Sequence, residues 1–412
     1  MRHGTTAAAC GALTVATGFV GLLGGYLGGI TLSAAATRSP APGKWSEPPP
    51  SKLTLAILVP AHNEELVIDR ALEGFANLEY PPELFSVHVV ADNCSDGTAA
   101  AVRAAGFDVH ERFDVHSPGK GPALNWLYRR LRTGGSMFDA IVIVDADTTL
   151  DPGFLGHVAA ALDDGAVVVQ GYYGVRDAGD SPTEAVRYAA LACRHHVRPL
   201  GRTAIGASCG LYGNGMAFVA ELMDQRSWTG HLTEDMEFQM ELLLDGHLVR
   251  YVPGAKLEAE MPGTLESAAS QNERWELGRM EMARRYVPTL ARRIVAQRRR
   301  RVANTDALLD HLVPPLSVLI ALNGACGLGA LTLTVLRGRR IDKFNLMTSA
   351  ASSAIIVGHV FFGLRSVEAP RAMYRSLASA PRFILWKLGI WRRVILAPTT
   401  VRWTRTTRNE EA

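Results

Sequence analysis

The chain begins with a long apolar stretch that contains no charged residue from position 6 to position 36. About 20 apolar residues suffice to cross the hydrocarbon core of a bilayer. Residues 1–36 are therefore predicted to form a transmembrane anchor. Ala34, Ala35 and Ala36 resemble a signal-peptide cleavage site, but the apolar part exceeds the ~7–15 residues of a usual signal core. A retained anchor is the favoured interpretation.

Proline punctuates the segment that follows. Pro40, Pro42 and the triplet at 48–50 favour an extended chain. Residues 37–52 are therefore predicted to be a linker, and the folded domain is expected to begin at Leu53.

Beyond the linker, largely apolar runs alternate with amphipathic ones. The predicted elements are strands at 55–59, 85–91 and 140–144 and helices at 68–78, 98–105 and 123–131. Apolar strands separated by helices are typical of a mainly parallel sheet that is covered on both faces. The pattern predicts an α/β domain over residues 53–300.

The C-terminal part is apolar again. Two apolar segments, 308–336 and 346–364, follow a run of arginines at 298–301, and residues 301–370 are predicted to hold the C-terminal membrane segments. Basic flanks mark the cytoplasmic side, which predicts a multi-pass protein of the cell membrane with a cytoplasmic α/β domain. The loop between the two segments is also basic and two prolines at 314–315 interrupt the first, so the topology here stays open.

Tryptophan and basic residues mix near the C-terminus. Trp386 and Trp391 lie among lysine and arginine, a mixture typical of a helix at the level of the lipid headgroups. An amphipathic interfacial helix and a basic tail are predicted over residues 371–412. A buried core helix is the alternative.

Composition narrows the classes of function. A chain of 412 residues that is 48% hydrophobic can bury a large core, and its net charge of +3 gives no field of the kind that attracts nucleic acid. The five cysteines are scattered without the spacing of a zinc site. No nucleic-acid partner is expected.

Acidic residues follow two of the predicted strands. Asp145 and Asp147 come at the end of the strand at 140–144, at the edge of a parallel sheet where ligands bind, and Asp92 follows the strand at 85–91. A Mg²⁺ or Mn²⁺ ion is often held by one or two carboxylates plus substrate phosphates, so Asp147 with Asp145 nearby would suffice. The alternative is structural, because aspartates also cap turns and helix starts.

Two further positions combine a functional and a structural interpretation. Lys120 lies between glycines in a predicted loop before a helix, which suits a phosphate but also a solvated lysine. Glu234 and Asp235 precede a helical stretch, where the helix dipole favours acids. A carboxylate there could equally take a proton from an attacking hydroxyl, and Asp235 is the candidate base.

Gln271, Arg274 and Trp275 are predicted to share one face of a helix. Arginine grips phosphate with its planar fork, and tryptophan offers a flat apolar surface for a sugar ring. An amphipathic helix packed on the sheet would explain the same trio.

Together these motifs resemble the family 2 glycosyltransferases with a GT-A fold, in the membrane-bound branch that contains the cellulose, chitin and hyaluronan synthases. The match covers about residues 53–286 in motif order. The matching elements are the nucleotide-binding loop at 59–64, Asp92, the Lys-x-x-Ala-Leu-Asn element from Lys120 to Asn125, the DxD of Asp145 and Asp147, the loop at 213–218, the TED at 233–235 and the QxxRW at 271–275.

The resemblance implies a role for each matching residue. Asp235 would be the catalytic base and Asp147 the metal ligand. The residues implied on the donor side are Pro60, Ala61, Asn63, Glu64, Asp92, Lys120, Asp145 and Asp147, and those on the acceptor and diphosphate side are Gly215, Glu234, Gln271, Arg274 and Trp275.

The implied activity is inverting transfer of a hexosyl or N-acetylhexosaminyl group from a nucleotide diphosphate sugar, commonly a UDP-sugar, to a saccharide or lipid acceptor. The product would be a β-linkage, and the cofactor Mg²⁺ or Mn²⁺. The chain has fewer spans than the large synthases, so processive polysaccharide synthesis would call for an export partner. A sugar-phosphate nucleotidyltransferase and a non-catalytic membrane scaffold remain as alternatives.

Overall fold

The computed structural model describes residues 2–176, 182–231, 233–261, 265–266 and 268–396. The chain divides into two compact units. Among the described residues, a sheet unit contains 40–176 and 206–282, and a helical unit contains 2–39, 182–205 and 283–396. The described residues 182–205 and 283–300 belong to the helical unit, and the bounds 53–300 of the α/β domain stay a prediction.

An eight-stranded mixed sheet forms the centre of the sheet unit. Its strands are β1 (Leu55–Ala61), β2 (Phe85–Asp92), β3 (Asp108–Arg112), β4 (Ala140–Ile143), β5 (Thr148–Leu150), β6 (Val168–Val175), β7 (Met216–Val219) and β8 (Arg250–Ala259). The order across the sheet is β3-β2-β1-β4-β7-β6-β8-β5. Only β7 and β5 run against the other six, so the prediction of a mainly parallel sheet is confirmed.

The described part of the chain is also rich in helix. The α-helices are α1 (Arg2–Ala36), α2 (Ile68–Ala76), α3 (Thr98–Ala104), α4 (Lys120–Thr133), α5 (Phe154–Asp163), α6 (Pro182–Ala192), α7 (Arg198–Ala204), α8 (Ala220–Asp224), α9 (Glu234–Asp245), α10 (Ala269–Ala296), α11 (Arg301–Leu312), α12 (Leu316–Arg337), α13 (Arg340–Ser366), α14 (Arg371–Ser376) and α15 (Ala380–Leu396). Short 3₁₀ turns lie at Pro82–Leu84, Arg298–Arg300 and Leu377–Ser379, and a π-helical turn at Cys193–Val197.

The sheet is covered on both faces. Leu55, Ile57 and Val59 of β1 belong to one apolar cluster with α2 and α5. The alternate residues Ala56 and Leu58 are equally buried, and successive strand residues point to opposite faces. The second face is the one where α4 contacts β1 and β2. Burial on both sides explains why these strands are apolar throughout.

In the described part of the chain, three helices are long and apolar enough to cross a membrane, namely Cys10–Ala36, Leu316–Arg337 and Arg340–Ser366. The N-terminal span agrees with the predicted anchor in position. The segment predicted from residue 308 differs, because α11 ends before Pro314 and a separate helix begins after Pro315. Proline cannot continue a helix interior, which explains the break.

Small and polar residues bring the candidate spans together. A Cβ atom added at Gly24 of α1 would lie 3.0 Å from the Ser352 hydroxyl of α13, so these helices approach closely. Between α12 and α13, Asn323 donates to the Ser349 carbonyl oxygen at 3.0 Å. Small residues and interhelical hydrogen bonds are the usual means of packing helices in lipid, where apolar burial gives little drive.

Charged residues are also buried in the helical unit. Arg202 of α7 and Asp306 of α11 form an ion pair at 2.7 Å with both side chains 2% exposed. The Tyr26 hydroxyl of α1 donates to the same carboxylate at 2.9 Å. This cluster fixes α1, α7 and α11 to one another, since a lone buried charge would be costly.

Helix α15 covers residues 380–396 of the segment predicted at 371–412. Its buried side consists of Phe383, Lys387, Ile390 and Val394, and it contacts α12 and α6. One face of α15 therefore packs on protein, as a core helix would, while Arg392 and other residues are exposed. A position at the lipid headgroups stays a prediction, and the predicted tail after residue 396 lies outside the described residues.

Candidate active site

The loop after β1 is bonded to the loop after β2. The predicted residues here are Pro60, Ala61, Asn63 and Glu64, at or just beyond the end of β1. Asn63 has φ of 56°, a left-handed conformation that asparagine tolerates, and its side-chain oxygen accepts from the Ser95 N–H at 2.8 Å. His62 Nδ1 lies 2.7 Å from the Asp92 carbonyl oxygen. The two loops therefore form one scaffold at the carboxyl edge of the sheet.

Asp92 is buried and already engaged by protein donors. Its carboxylate pairs with the Arg112 guanidinium, accepts from the Asn93 side chain at 3.1 Å and from the Gly119 N–H at 3.4 Å. Sequence reasoning missed Arg112, because it ends a five-residue strand with no periodic signal. An ionised carboxylate has about four acceptor sites, so a contact between Asp92 and a nucleotide base is still compatible with this arrangement and stays a prediction.

Lys120 is the first residue of α4 rather than a loop residue, and it reaches the DxD. Its ammonium donates to Asp145 Oδ1 and to the Gly213 carbonyl oxygen at 2.5 Å. Burial by itself lowers the pKa of Lys120, but the carboxylates of Asp145, Glu234 and Asp235 outweigh it and raise that pKa. The cation at this helix start, where the dipole disfavours it, is therefore stabilised by acidic groups from two other segments.

The DxD segment is supported by a buried amide network. The Asn214 side chain accepts from the Asp145 N–H at 3.1 Å and donates to Thr148 Oγ1 at 2.7 Å, and Thr148 Oγ1 lies 3.3 Å from Asp147 Oδ1. Gln170 donates to the Asn214 carbonyl oxygen at 2.8 Å. Sequence reasoning did not assign Asn214 or Gln170. The sequence signal that could have found this network was Gln170, a glutamine inside an otherwise apolar strand.

Gly215 is fixed by packing. It is buried with φ of 66°, and an added Cβ would lie 2.1 Å from Leu257 Cδ2. Its N–H donates to the Ile143 carbonyl oxygen at 2.9 Å. The structure thus shows a backbone role at this position, and the predicted contact with an acceptor stays a prediction.

Glu234 and Asp235 are the first two residues of α9. A Cβ added at Gly213 would lie 3.5 Å from Asp235 Oδ2 and 3.6 Å from Lys120 Nζ, so the candidate base lies close to the lysine. The pKa of Glu234 is raised to about 7, first by burial and then by the neighbouring Asp235 charge, while Lys120 acts to lower it. The two acids therefore hold less than two full negative charges near neutral pH.

Helix α10, which carries Gln271, Arg274 and Trp275, packs against the start of α9. Gly278 of α10 packs directly on Thr233, because an added Cβ would lie 2.3 Å from Thr233 Cγ2. Burial lowers the pKa of Arg274, and the Glu234 charge raises it in part. Within the described chain, Arg274 Nε and Gln271 Oε1 are buried without a hydrogen-bond partner, which is the condition expected of groups that a ligand completes.

The segment before Thr233 is clamped to α4. Asn125 donates to the Trp228 carbonyl oxygen at 2.6 Å and accepts from the Trp228 N–H at 2.9 Å. The Trp228 ring lies 5.5 Å from the Phe238 ring in a stacked arrangement. Asn125, the last residue of the Lys-x-x-Ala-Leu-Asn element, therefore fixes the position of Trp228 in the segment that precedes the candidate base Asp235.

A groove of about 620 Å³ runs along α4 beside this clamp. Trp126, Arg129, Arg130 and Trp228 line it with their neighbours. None of the predicted site residues lines this groove, but Arg112, which pairs with Asp92, does.

A divalent metal fits the chemistry of the donor set. Asp147 and its neighbour Asp145 supply hard carboxylate oxygens, which suit Mg²⁺ and Mn²⁺. Among the described residues, no group of three or more His, Cys, Asp and Glu side chains is arranged to hold a metal. A metal here would thus depend on substrate oxygens to complete its coordination, as the sequence predicted for Asp147.

The sheet topology, with acids, a lysine and an arginine gathered at its carboxyl edge, defines a glycosyltransferase of the GT-A fold. Residues 49–278 match the model of the family described as Glycosyltransferase like family 2, and the chain belongs to this family.

Named relatives share only part of their length with this chain. The probable glycosyltransferase YdaM of Bacillus subtilis is 26% identical over 258 residues, 59% of either chain. The glucomannan 4-beta-mannosyltransferase 7 of Arabidopsis thaliana is 22% identical over 57% of this chain and 44% of that protein. The beta-monoglucosyldiacylglycerol synthase of Trichormus variabilis is 28% identical over 54% of this chain and 48% of that protein. The chain thus spans about half the length of these relatives.

Among solved structures, a mannosyltransferase from Pyrobaculum calidifontis in complex with GDP-Man and Mn²⁺ superposes with a TM-score of 0.53. It is 18% identical, and the superposition covers 86% of this chain and 98% of that one. The likeness establishes the shared fold.

Proposed function

We propose that this chain is a membrane-bound inverting glycosyltransferase that moves a hexosyl group from a nucleotide diphosphate sugar to a saccharide or lipid acceptor, forming a β-linkage. The convergence of Lys120, Asp145 and Asp235 from three separate segments carries the proposal. The names of the relatives, which include a mannosyltransferase and a glucosyldiacylglycerol synthase, favour a hexose and either acceptor class.

In the proposed reaction, the acceptor oxygen bonds to the anomeric carbon as the bond from that carbon to the diphosphate breaks on the opposite side. Asp235 takes the proton from the attacking hydroxyl. Lys120 and Arg274 offset the negative charge that develops on the departing nucleoside diphosphate. A divalent ion held by Asp147, Mg²⁺ or Mn²⁺, would supply further charge stabilisation.

The remaining roles follow from position. Gln271 and Trp275, on the same helix as Arg274, are assigned to the diphosphate and the acceptor sugar, and Asp92 to the base, for which uridine is the first choice. The candidate spans support a multi-pass location in the cell membrane, and the basic flank at 298–301 supports a cytoplasmic sheet unit.

Transfer is tested with membranes that contain the full chain, a panel of labelled nucleotide sugars, and Mg²⁺ or Mn²⁺. Asp235→Asn should lower the rate by about 10²-fold or more. Asp245→Asn is the matched control, because Asp245 ends the same helix and its side chain is 55% exposed. Normal transfer by the Asp235 variant would contradict the assignment of the base.

The size of the product separates the possible outcomes. A small lipid-soluble product would indicate single-sugar transfer, and a long product would indicate a processive synthase that needs an export partner. Release of pyrophosphate would favour a nucleotidyltransferase. No Asp235-dependent label with any donor would favour a non-catalytic scaffold.

A further inference from the structure

Arg176 is a cationic residue beside the DxD that belongs to none of the sequence motifs. It directly follows β6, and its backbone N–H donates to the Ala259 carbonyl oxygen at the end of β8 at 3.0 Å. Its Nη2 donates to the backbone carbonyl oxygen of Asp147 at 3.2 Å. The guanidinium therefore lies against the segment that carries the candidate metal ligand.

The guanidinium of Arg176 is incompletely bonded. Its Nε atom is buried, and within the described chain nothing accepts a hydrogen bond from it. A buried unsatisfied donor on a charged group is more costly than a neutral one. Native proteins keep such groups mainly where water, an ion or a ligand completes them.

Arg176 also lies on the other side of β4 from the loops at Asn63 and Asp92. In the strand order, β6 is on one side of β4, and β1 and β2, which carry the loops at Asn63 and Asp92, are on the other. The DxD segment leaves β4 and continues to β5 at the far edge, next to β8. An arginine here reaches a ligand from the side opposite the predicted nucleotide base.

We propose that Arg176 binds an oxyanion in the occupied site, next to the metal at Asp147. The proposal rests on the proposed function, which supplies the metal and the donor. The oxyanion belongs either to the diphosphate of the donor or to an anionic group of the acceptor, because arginine matches phosphate and carboxylate alike. Arg176 is assigned to binding and takes no part in proton transfer.

Inorganic pyrophosphate with Mn²⁺ is the probe that tests whether the oxyanion belongs to the diphosphate of the donor. Its binding to the full-length protein in detergent is measured by calorimetry for wild type, Arg176→Gln and Arg176→Lys. We expect Arg176→Gln to weaken binding about tenfold or more, and Arg176→Lys, which keeps a cation, to weaken it less. Arg103→Gln is the control, since Arg103 is exposed and pairs with Glu111, and it should bind as wild type does.

Binding of Mn²⁺ alone, followed by electron paramagnetic resonance, separates ligand binding from support of Asp147. If Arg176 only held the Asp147 carbonyl, Arg176→Gln would weaken Mn²⁺ alone as much as Mn²⁺ with pyrophosphate, and the proposal would be overturned. An unchanged affinity for Mn²⁺ alone with a loss for the complex supports it.

Steady-state kinetics test whether the oxyanion belongs to the acceptor. An unchanged affinity for Mn²⁺–pyrophosphate, with a KM for the acceptor raised about tenfold and kcat nearly constant, would assign the oxyanion to the acceptor. If neither quantity changes in Arg176→Gln, the proposal is wrong. Should Arg176→Gln melt far below wild type, Arg176→Lys decides by the same measurements. Because pyrophosphate carries no sugar, the first measurement reports on Arg176 even if no sugar transfer is found.

Discussion

Replacement of Gly278 by alanine tests whether the contact between α10 and α9 sets the geometry of the site. An added Cβ would lie 2.3 Å from Thr233 Cγ2, 2.4 Å from Thr233 Oγ1 and 2.9 Å from Thr233 Cβ. Distances below 3.0 Å require a shift, and Thr233 is only 4% exposed. Gly278→Ala should therefore move α10, which carries Arg274, away from the two acids that follow Thr233.

The expected magnitude differs between stability and rate. Overpacking a core costs about 1–3 kcal/mol, while alanine in place of glycine inside a helix stabilises by about 1 kcal/mol. The net loss of stability is then roughly 0–2 kcal/mol. A displacement of about 1 Å at a reacting group can cost about 10²-fold in rate. Gly278→Ala should thus lower kcat far more than its melting temperature indicates.

The measurement combines initial transfer rates with thermal melting of the same preparations. Gly389→Ala is the matched control, because Gly389 is also inside a helix and nothing lies within 4 Å of an added Cβ. Thr233→Ala removes the two shortest contacts, so Gly278→Ala combined with Thr233→Ala should recover part of the lost rate, and the double-mutant cycle gives the coupling. If Gly278→Ala matched Gly389→Ala in rate and melting, the close approach would not set the geometry.

Two further predictions concern Asn125 and Glu234. Asn125→Ala leaves the N–H and carbonyl groups of the buried Trp228 without their partners. This should cost about 1–3 kcal/mol of stability and lower both the melting temperature and kcat, while Asn125→Asp, which keeps one acceptor, should lose less. If Asn125→Ala melts and turns over as wild type does, the two hydrogen bonds between Asn125 and Trp228 do not support the site. The pKa of Glu234 rises from 4.5 to about 7 on folding, so between these pH values the folded state keeps a proton that the unfolded chain releases. Wild type should therefore lose stability relative to Glu234→Gln as the pH rises from about 4.5 through 7. Melting temperatures between pH 5 and 8 test this, with the exposed Glu73→Gln as control, and a constant difference between wild type and Glu234→Gln would refute it.

Much of the sheet unit follows from hydrophobic pattern, because its central strands are buried on both faces. The strand predicted at 85–91 agrees with β2 to one residue, and that at 140–144 agrees with β4 equally well. Helix α4 begins three residues earlier than predicted, at Lys120, since Gly121 and Pro122 look like loop residues although proline is tolerated in a first turn. The edge strand β3 has no apolar run and was not predicted.

The sequence did not predict which segments belong to the sheet unit and which to the helical unit. The described residues 182–205 lie between the two segments of the sheet unit in sequence but belong to the helical unit, and Arg202 is buried there beside Asp306. A charged residue in a helical stretch is normally interpreted as solvated, because pattern alone does not reveal a distant partner of opposite charge.

The motif residues are predictable one by one, but their supports are not. Asp92 and Asp145 stand in recognisable patterns, whereas the residues that support them do not. Arg112 pairs with Asp92, Asn214 accepts from the Asp145 N–H, and Gln170 donates to the Asn214 carbonyl oxygen. Such partners become visible only when the fold brings the segments together.

The electrostatics of Glu234 and Asp235 bear on which acid is the base. A general base works best with a pKa near the working pH, and on that criterion alone Glu234, at about 7, would be the better candidate. The two acids interact strongly, however, so a titration near pH 7 belongs to the pair rather than to either residue. The Lys120 ammonium does not separate the two acids, because it acts on both and lowers the pKa of Glu234 against the effect of burial. A proton held by the pair near pH 7 limits the negative charge that an incoming diphosphate meets. The assignment of the base to Asp235 therefore depends on the transfer rate of Asp235→Asn and not on titration.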